Sequence, residues 1–166
     1  AFPHDQVQIL AYNRIVKDLA GLSPEAFLAA VRDAFVVEPG PAMPARQGEM
    51  AMYLQGRWQT IRPRAVPDAS DAIASLDVSV LQDRLLAPVL KIADVRTDKR
   101  IDFIGGARGT EALQQAVDSG RAAVAFSLYP VSVADLMAVS DADEIMPPKS
   151  TWFEPKLRDG LLIHMI

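Results

Sequence analysis

There is no cysteine among the 166 residues. Disulfides, thiolate zinc sites and thiol nucleophiles are excluded together, and a cytoplasmic setting is the expectation. Only two histidines occur, His4 and His164, so no histidine-rich metal centre is expected, while a carboxylate-held Mg²⁺ stays compatible with the composition. No apolar run approaches a membrane span and no basic-then-apolar leader opens the chain, so no membrane role is expected. A basic excess is missing too. The net charge of -4 and pI near 5.1 argue against a nucleic-acid surface spread over the chain.

What is there suits a folded domain. Half the residues are hydrophobic and 23% are charged, the profile of a globular protein rather than a disordered one. The length suits a single domain over residues 1–166 with a real core. Residues 1–22 read as an irregular or strand-like start, with Tyr12, Asn13, Arg14, Lys17 and Asp18 as a solvated polar cluster. Ser23-Pro24-Glu25 is a helix start, and Phe27, Leu28, Val31, Ala34 and Phe35 fall on its inner face. Met50 to Leu54 and Arg57 to Ile61 flank Gln55-Gly56 as a hairpin. Asp77 is placed to cap a helix that Pro88 ends or kinks. Leu90 to Val95 and Arg100 to Ile104 read as a second hairpin.

From Ile104 the chain runs through Gly105-Gly106-Ala107-Arg108-Gly109 into a helix capped by Thr110, then into an apolar strand over Ala123 to Leu128. That order is the βαβ pattern. Ser132 and Asp135 bracket another helix start like a capping box. Leu161 to Ile166 reads as a closing strand. The expected class is α+β, or α/β with hairpins: a mixed sheet of about five to six strands with three to four packing helices.

Two stretches invite chemistry. The glycine turn places Gly105 and Gly106 amides and the Arg108 fork before a helix, where an anion can bind. It lacks the Lys-Ser/Thr ending of a P-loop and does not match the dinucleotide fingerprint. The proline loop from Pro147 to Arg158 holds Lys149, Ser150, Thr151, Trp152, Phe153 and Glu154 between prolines, and Lys156 just after the last of them. A stiff, aromatic-anchored loop with such donors suits an anionic ligand. If the two loops meet at one sheet edge, Arg108, Lys149 and Lys156 converge on that ligand and Ser150 and Thr151 orient it. Asp102 and Glu154 are the acid/base candidates. Asp94, Asp98 and Asp102 otherwise read as exposed charges neighbouring Arg96, Lys99 and Arg100, and His164 as a core or edge residue.

The segments YNRIVKDL (12–19), LDVSVLQ (76–82), RIDFIGG (100–106) and MPPKSTWFEPK (146–156) together resemble the bacterial proteins grouped as domain-of-unknown-function family 1015. The resemblance implies an upstream part with an Asp-Gly-His-His-Arg motif similar to that of ParB-like serine kinases; these 166 residues contain no such motif. The chain, which begins Ala1-Phe2-Pro3, is therefore expected to be a carboxyl-terminal portion that completes or covers a site.

The resulting expectation is part of a cytoplasmic enzyme that binds a small phosphorylated or carboxylated metabolite, in the manner of a phosphotransferase. Mg²⁺ or a nucleotide is compatible as cofactor, and the upstream half or a second copy as partner. The alternative is a non-enzymatic interaction or regulatory module anchored by Trp152 and Phe153.

Overall fold

The computed structural model describes residues 7–155. The closing strand expected over 161–166, together with Lys156, Arg158, His4 and His164, lies outside the described residues.

The start is strand-like, as expected: β1 (Gln8–Leu10) and β2 (Tyr12–Val16). Helix α1 (Pro24–Ala34) begins where Ser23 accepts from the Ala26 amide and proline occupies the first turn. Phe35, expected on that helix, instead opens β3 (Phe35–Pro39). Two β-branched residues, Val36 and Val37, follow it and favour extended chain. Strands β4 (Met50–Leu54) and β5 (Arg57–Pro63) form the expected hairpin around Gln55 and Gly56, both at positive φ.

Helix α2 (Asp77–Leu81) continues into a π-helical turn over Gln82–Leu86. Asp77 is its first helical residue rather than its cap, which is Leu76. Strand β6 (Ile101–Gly105) runs into a 3₁₀ turn (Gly106–Arg108), then α3 (Glu111–Asp118), β7 (Val124–Leu128), α4 (Val133–Asp141) and β8 (Trp152–Glu154). Thr110 makes no side-chain cap bond to α3. The capping box at Ser132 and Asp135 is formed in full.

The α+β class is borne out. Six strands form one sheet in the order β3-β5-β4-β7-β2-β6, while β1 and β8 pair separately. Every pairing among the described residues is antiparallel, so over these residues the sheet is not mixed. The reason is that β6 and β7, joined through α3, do not pair with each other. Strand β2 lies between them, antiparallel to both. The unit is a split βαβ. The expected hairpin over 90–104 does not form either. Residues 90–99 are turns and irregular chain, tied down by Arg100, which donates to the carbonyls of Leu90 and Lys91 at 2.9 and 3.0 Å.

Alternation along β2 divides the two faces of the sheet. Val16 joins the larger core with Phe27, Phe35, Met52, Leu81 and Phe126, whereas Ile15 joins Tyr53, Ile104, Leu113 and Ala125 beneath α3. Phe27, Phe35 and Phe126 are fully buried, each contributing about 2–3 kcal/mol through removal of apolar surface from water. By the same alternation Arg14 shares the Val16 face. That places a guanidinium on the floor of the sheet's more heavily covered side.

Candidate functional site

Arg14 is 1% exposed. Sequence reasoning set it in a solvated cluster; the structure corrects this, because β2 is flanked on both edges and covered on the face where Arg14 projects. Its register partners are Phe103 and Phe126. Nη1 donates to the Tyr12 carbonyl at 2.5 Å and Nη2 to the Lys149 carbonyl at 3.2 Å. The guanidinium carbon lies 5.7 Å from the centre of the Phe103 ring. No carboxylate pairs with it among the described residues. Burial pushes its pKa down to about 9, opposed by Tyr12, which leaves it a cation at neutral pH.

Above Arg14 opens a cleft of about 750 Å³. Its walls come from the 71–74 segment, from Val78 and Ser79 of α2, from Gln82 and Asp83 of the π turn, and from the 93–96 and 144–148 loops. Among the described residues, three buried side-chain polar atoms have no hydrogen-bond partner: Arg14 Nε, Ser79 Oγ and Gln82 Oε1. All three belong to residues lining this one cleft. Buried polar atoms are nearly always paired. Three orphans around one cleft mark a place where a ligand can supply the missing partners.

Four carboxylates also line the cleft, none of them paired with Arg14: Asp71, Asp83, Asp94 and Glu144. Asp94 is held by Arg96 at 2.9 Å, and Asp71 accepts from the Ile73 and Ala74 amides at 3.0 and 2.8 Å. The hydrogen bonds from Arg96 hold the Asp94 carboxyl below its usual range. Asp83 and Glu144 are exposed and form no ion pair among the described residues.

The proline loop reaches this cleft through Pro147 and Pro148. Lys149, at φ 59°, is exposed, with its ammonium 5.4 Å from the Tyr12 ring centre and 5.9 Å from that of Phe103. Ser150 is buried and donates to the Pro147 carbonyl at 2.5 Å, which closes the turn. Thr151 is half-buried beside it. Glu154 is exposed and accepts from Trp152 Nε1 at 3.0 Å; Asp102 is exposed and accepts from the Phe103 amide at 2.8 Å. Neither of these acid/base candidates lines the Arg14 cleft.

The glycine turn lines a different depression of about 440 Å³, with Gly106, Gly109 and Thr110 on one side and Tyr129 and Ser132 on the other. The Gly106 amide already donates to the Ala11 carbonyl at 2.8 Å. The Glu111 carboxylate lies against Gly109, at the end of α3 where an anion would sit. Arg108 is exposed on the 3₁₀ turn.

Gly105 nonetheless meets the proline loop. A Cβ placed there would lie 2.5 Å from Trp152 Cε3, and the tryptophan ring also packs edge-on against Tyr12 with centroids 5.3 Å apart. Gly105→Ala should therefore cost about 1–3 kcal/mol by overpacking. Urea unfolding is expected to show that cost vanishing in a Trp152→Leu background, as a double-mutant cycle requires for direct contact. Equal costs in both backgrounds would rule the contact out.

The residues that sequence reasoning missed are Arg14, Ser79 and Gln82. One signal was present for the first: Arg14 shares strand parity with Val16 in a run that continues Ile15-Val16, so a buried strand puts it inside. Nothing local marks the other two.

No curated protein matches the chain in sequence. Its fold is similar to that of a free serine kinase in complex with AMP, with TM-score 0.54 and 14% identity, covering 90% of this chain and 55% of that one. A variant of such a kinase with AMP gives TM-score 0.53 at 15% identity, and a variant with ADP gives 0.51 at 16%, both with the same coverage. The chain thus spans about half the length of these solved structures, and at such identities the likeness concerns the fold alone. Sequence likeness is found elsewhere: over residues 1–79, just under half of the chain, it matches the model of the family described as "Protein of unknown function (DUF1015)".

Proposed function

We propose that this chain forms part of a cytoplasmic phosphotransferase that seats a small phosphorylated or carboxylated metabolite in the Arg14 cleft. The observation that carries this reading is the buried, acid-free guanidinium whose Nε lacks a partner at the base of that cleft. A guanidinium in a low-dielectric wall binds an anionic oxygen far more strongly than one in water, and needs no reorganisation to do so. Phosphoryl transfer asks little of a protein beyond such positioning and charge neutralisation. Lys149 of the adjoining loop supplies a second cation, and Asp83 or Glu144 the carboxylate for a hydroxyl proton. The fold likeness to kinases bound to AMP and ADP supports a nucleotide as the phosphorylated ligand, and the cleft volume suits one.

Among the described residues no three acidic or histidine side chains gather to hold a metal. Mg²⁺ in this reading arrives on the phosphate oxygens, as is usual for that ion. The chain's described helices include none long and apolar enough to cross a membrane. The competing reading, a partner-binding module anchored on Trp152, has less support because that ring is engaged by Gly105 and Tyr12.

Thermal unfolding with AMP, ADP, pyrophosphate and citrate tests the proposal. A ligand at a hundred times its Kd is expected to add about 2.7 kcal/mol to the unfolding free energy. Unchanged transitions with every anion at millimolar concentration would leave the cleft without this role.

A further inference from the structure

The orphaned atoms of the cleft are not all of one kind, and that difference narrows the ligand. We infer that the cleft takes a small zwitterion, with its anionic group on Arg14 and an ammonium group held by Gln82 and the surrounding carboxylates; this rests on the anion-binding reading above. Arg14 Nε is a donor and requires an acceptor. Gln82 presents the opposite need. Its amide nitrogen donates to the carbonyls of Ile92 and Ala93 at 2.9 and 3.3 Å, which settles which end of the amide is nitrogen. Oε1 is then a buried acceptor without a donor, and a ligand N–H or O–H would satisfy it. Ser79 Oγ, the third orphan, can serve either end because a hydroxyl both donates and accepts.

Charge decides between a neutral donor and a cationic one. The cleft lining holds two cations, Arg14 and Arg96, against four carboxylates. Arg96 is spent on Asp94. Among the described residues Asp71, Asp83 and Glu144 have no cation paired to them, so a ligand bearing negative charge alone gains from Arg14 but meets uncompensated carboxylates elsewhere in the lining. An ammonium group on the same molecule reverses that interaction, as charge complementarity requires. Among the described residues the rim acids do not gather into a metal-holding set, which favours a ligand's own cation over a protein-held ion in this position.

Calorimetric titration of the chain with matched pairs, in EDTA so that no divalent ion replaces the ammonium, tests the inference. The pairs are O-phospho-L-serine against 3-phosphoglycerate, and L-alanine against L-lactate, which differ in carrying an amino or a hydroxyl group. The amino member is expected to bind about tenfold more tightly or better, a difference of about 1.4 kcal/mol. Glu144→Gln, on the exposed rim, should shrink that preference, and Gln82→Met should shrink it further if it folds. Arg14→Gln should weaken both members alike. Equal or tighter binding of the hydroxy members overturns the zwitterion inference and leaves the anion site standing. Failure of every member to bind overturns both.

Discussion

Arg14→Met is expected to leave the chain at least as stable and unable to bind its ligand. The native side chain is 1% exposed and pairs with no carboxylate among the described residues, so folding buries a charge without an opposite charge paired to it. Replacing such a group by an apolar side chain of similar length removes the desolvation penalty, and in comparable cases stability rises by about 1–4 kcal/mol. Against this stand two hydrogen bonds, to the carbonyls of Tyr12 and Lys149, at about 1 kcal/mol each. The net expectation runs from near break-even to a gain of about 2 kcal/mol, the upper end being a Tm higher by about 4–8 °C at this chain length. Below pH 9 the guanidinium is charged in both folded and unfolded chains, so the penalty is constant across neutral pH and only the substitution exposes it. Loss of a buried anion–guanidinium contact should weaken ligand binding by about 2–5 kcal/mol. Urea unfolding and calorimetry measure the two effects separately. A variant that is less stable and binds normally would identify Arg14 as a clasp between β2 and the proline loop, with no part in recognition.

Asp77→Asn is expected to abolish much of the pH dependence of stability between pH 5 and 8. Asp77 is 8% exposed and accepts from the Gly48 amide at 2.9 Å. Burial raises its pKa to about 7; the Gly48 amide opposes the rise, and the charges of Asp135 and Glu49 add to it. Asp135 is also the carboxylate of the α4 capping box, and Glu49 is held by Arg46 and Arg62. The folded chain therefore binds this proton more tightly than the unfolded chain, whose group titrates near the ordinary 3.8. The associated stability is fully present below that value and is lost as pH rises through 7. From about pH 5 to pH 8 the loss amounts to about 3 kcal/mol. Asparagine keeps an oxygen for the Gly48 amide and carries no charge, so the variant should be the more stable protein at pH 8. Parallel pH profiles for the two proteins, from urea midpoints, would show that Asp77 is ionised throughout and refute the prediction.

Much of the fold was legible where a short stretch decides its own conformation. Ser23-Pro24 starts α1, Gln55-Gly56 turns a hairpin, and Ser132 with Asp135 closes a capping box. Each depends on dihedral preference and on hydrogen bonds within a few residues. The errors lie where a partner comes from far along the chain. The 101–105 segment was read correctly as extended but paired with its neighbour, whereas it pairs with β2, some ninety residues earlier. Phe35 continued the apolar stripe of α1, and only the β5 register shows that it starts a strand.

The site divides in the same way. Pro147, Pro148 and Lys149 were visible as an unusual loop because proline and aromatic content are local facts. The charge that this loop and the π turn enclose was not, because a strand arginine is exposed or buried according to which strands flank it. Sequence alone determined the helix starts, the hairpin, the α+β class and the absence of thiol chemistry, all set by residue type and near spacing. Tertiary structure alone decided that β2 lies between β6 and β7, and so that Arg14 is sealed from water beneath an acidic cleft. Desolvation is a property of the assembled sheet, and no segment carries it by itself.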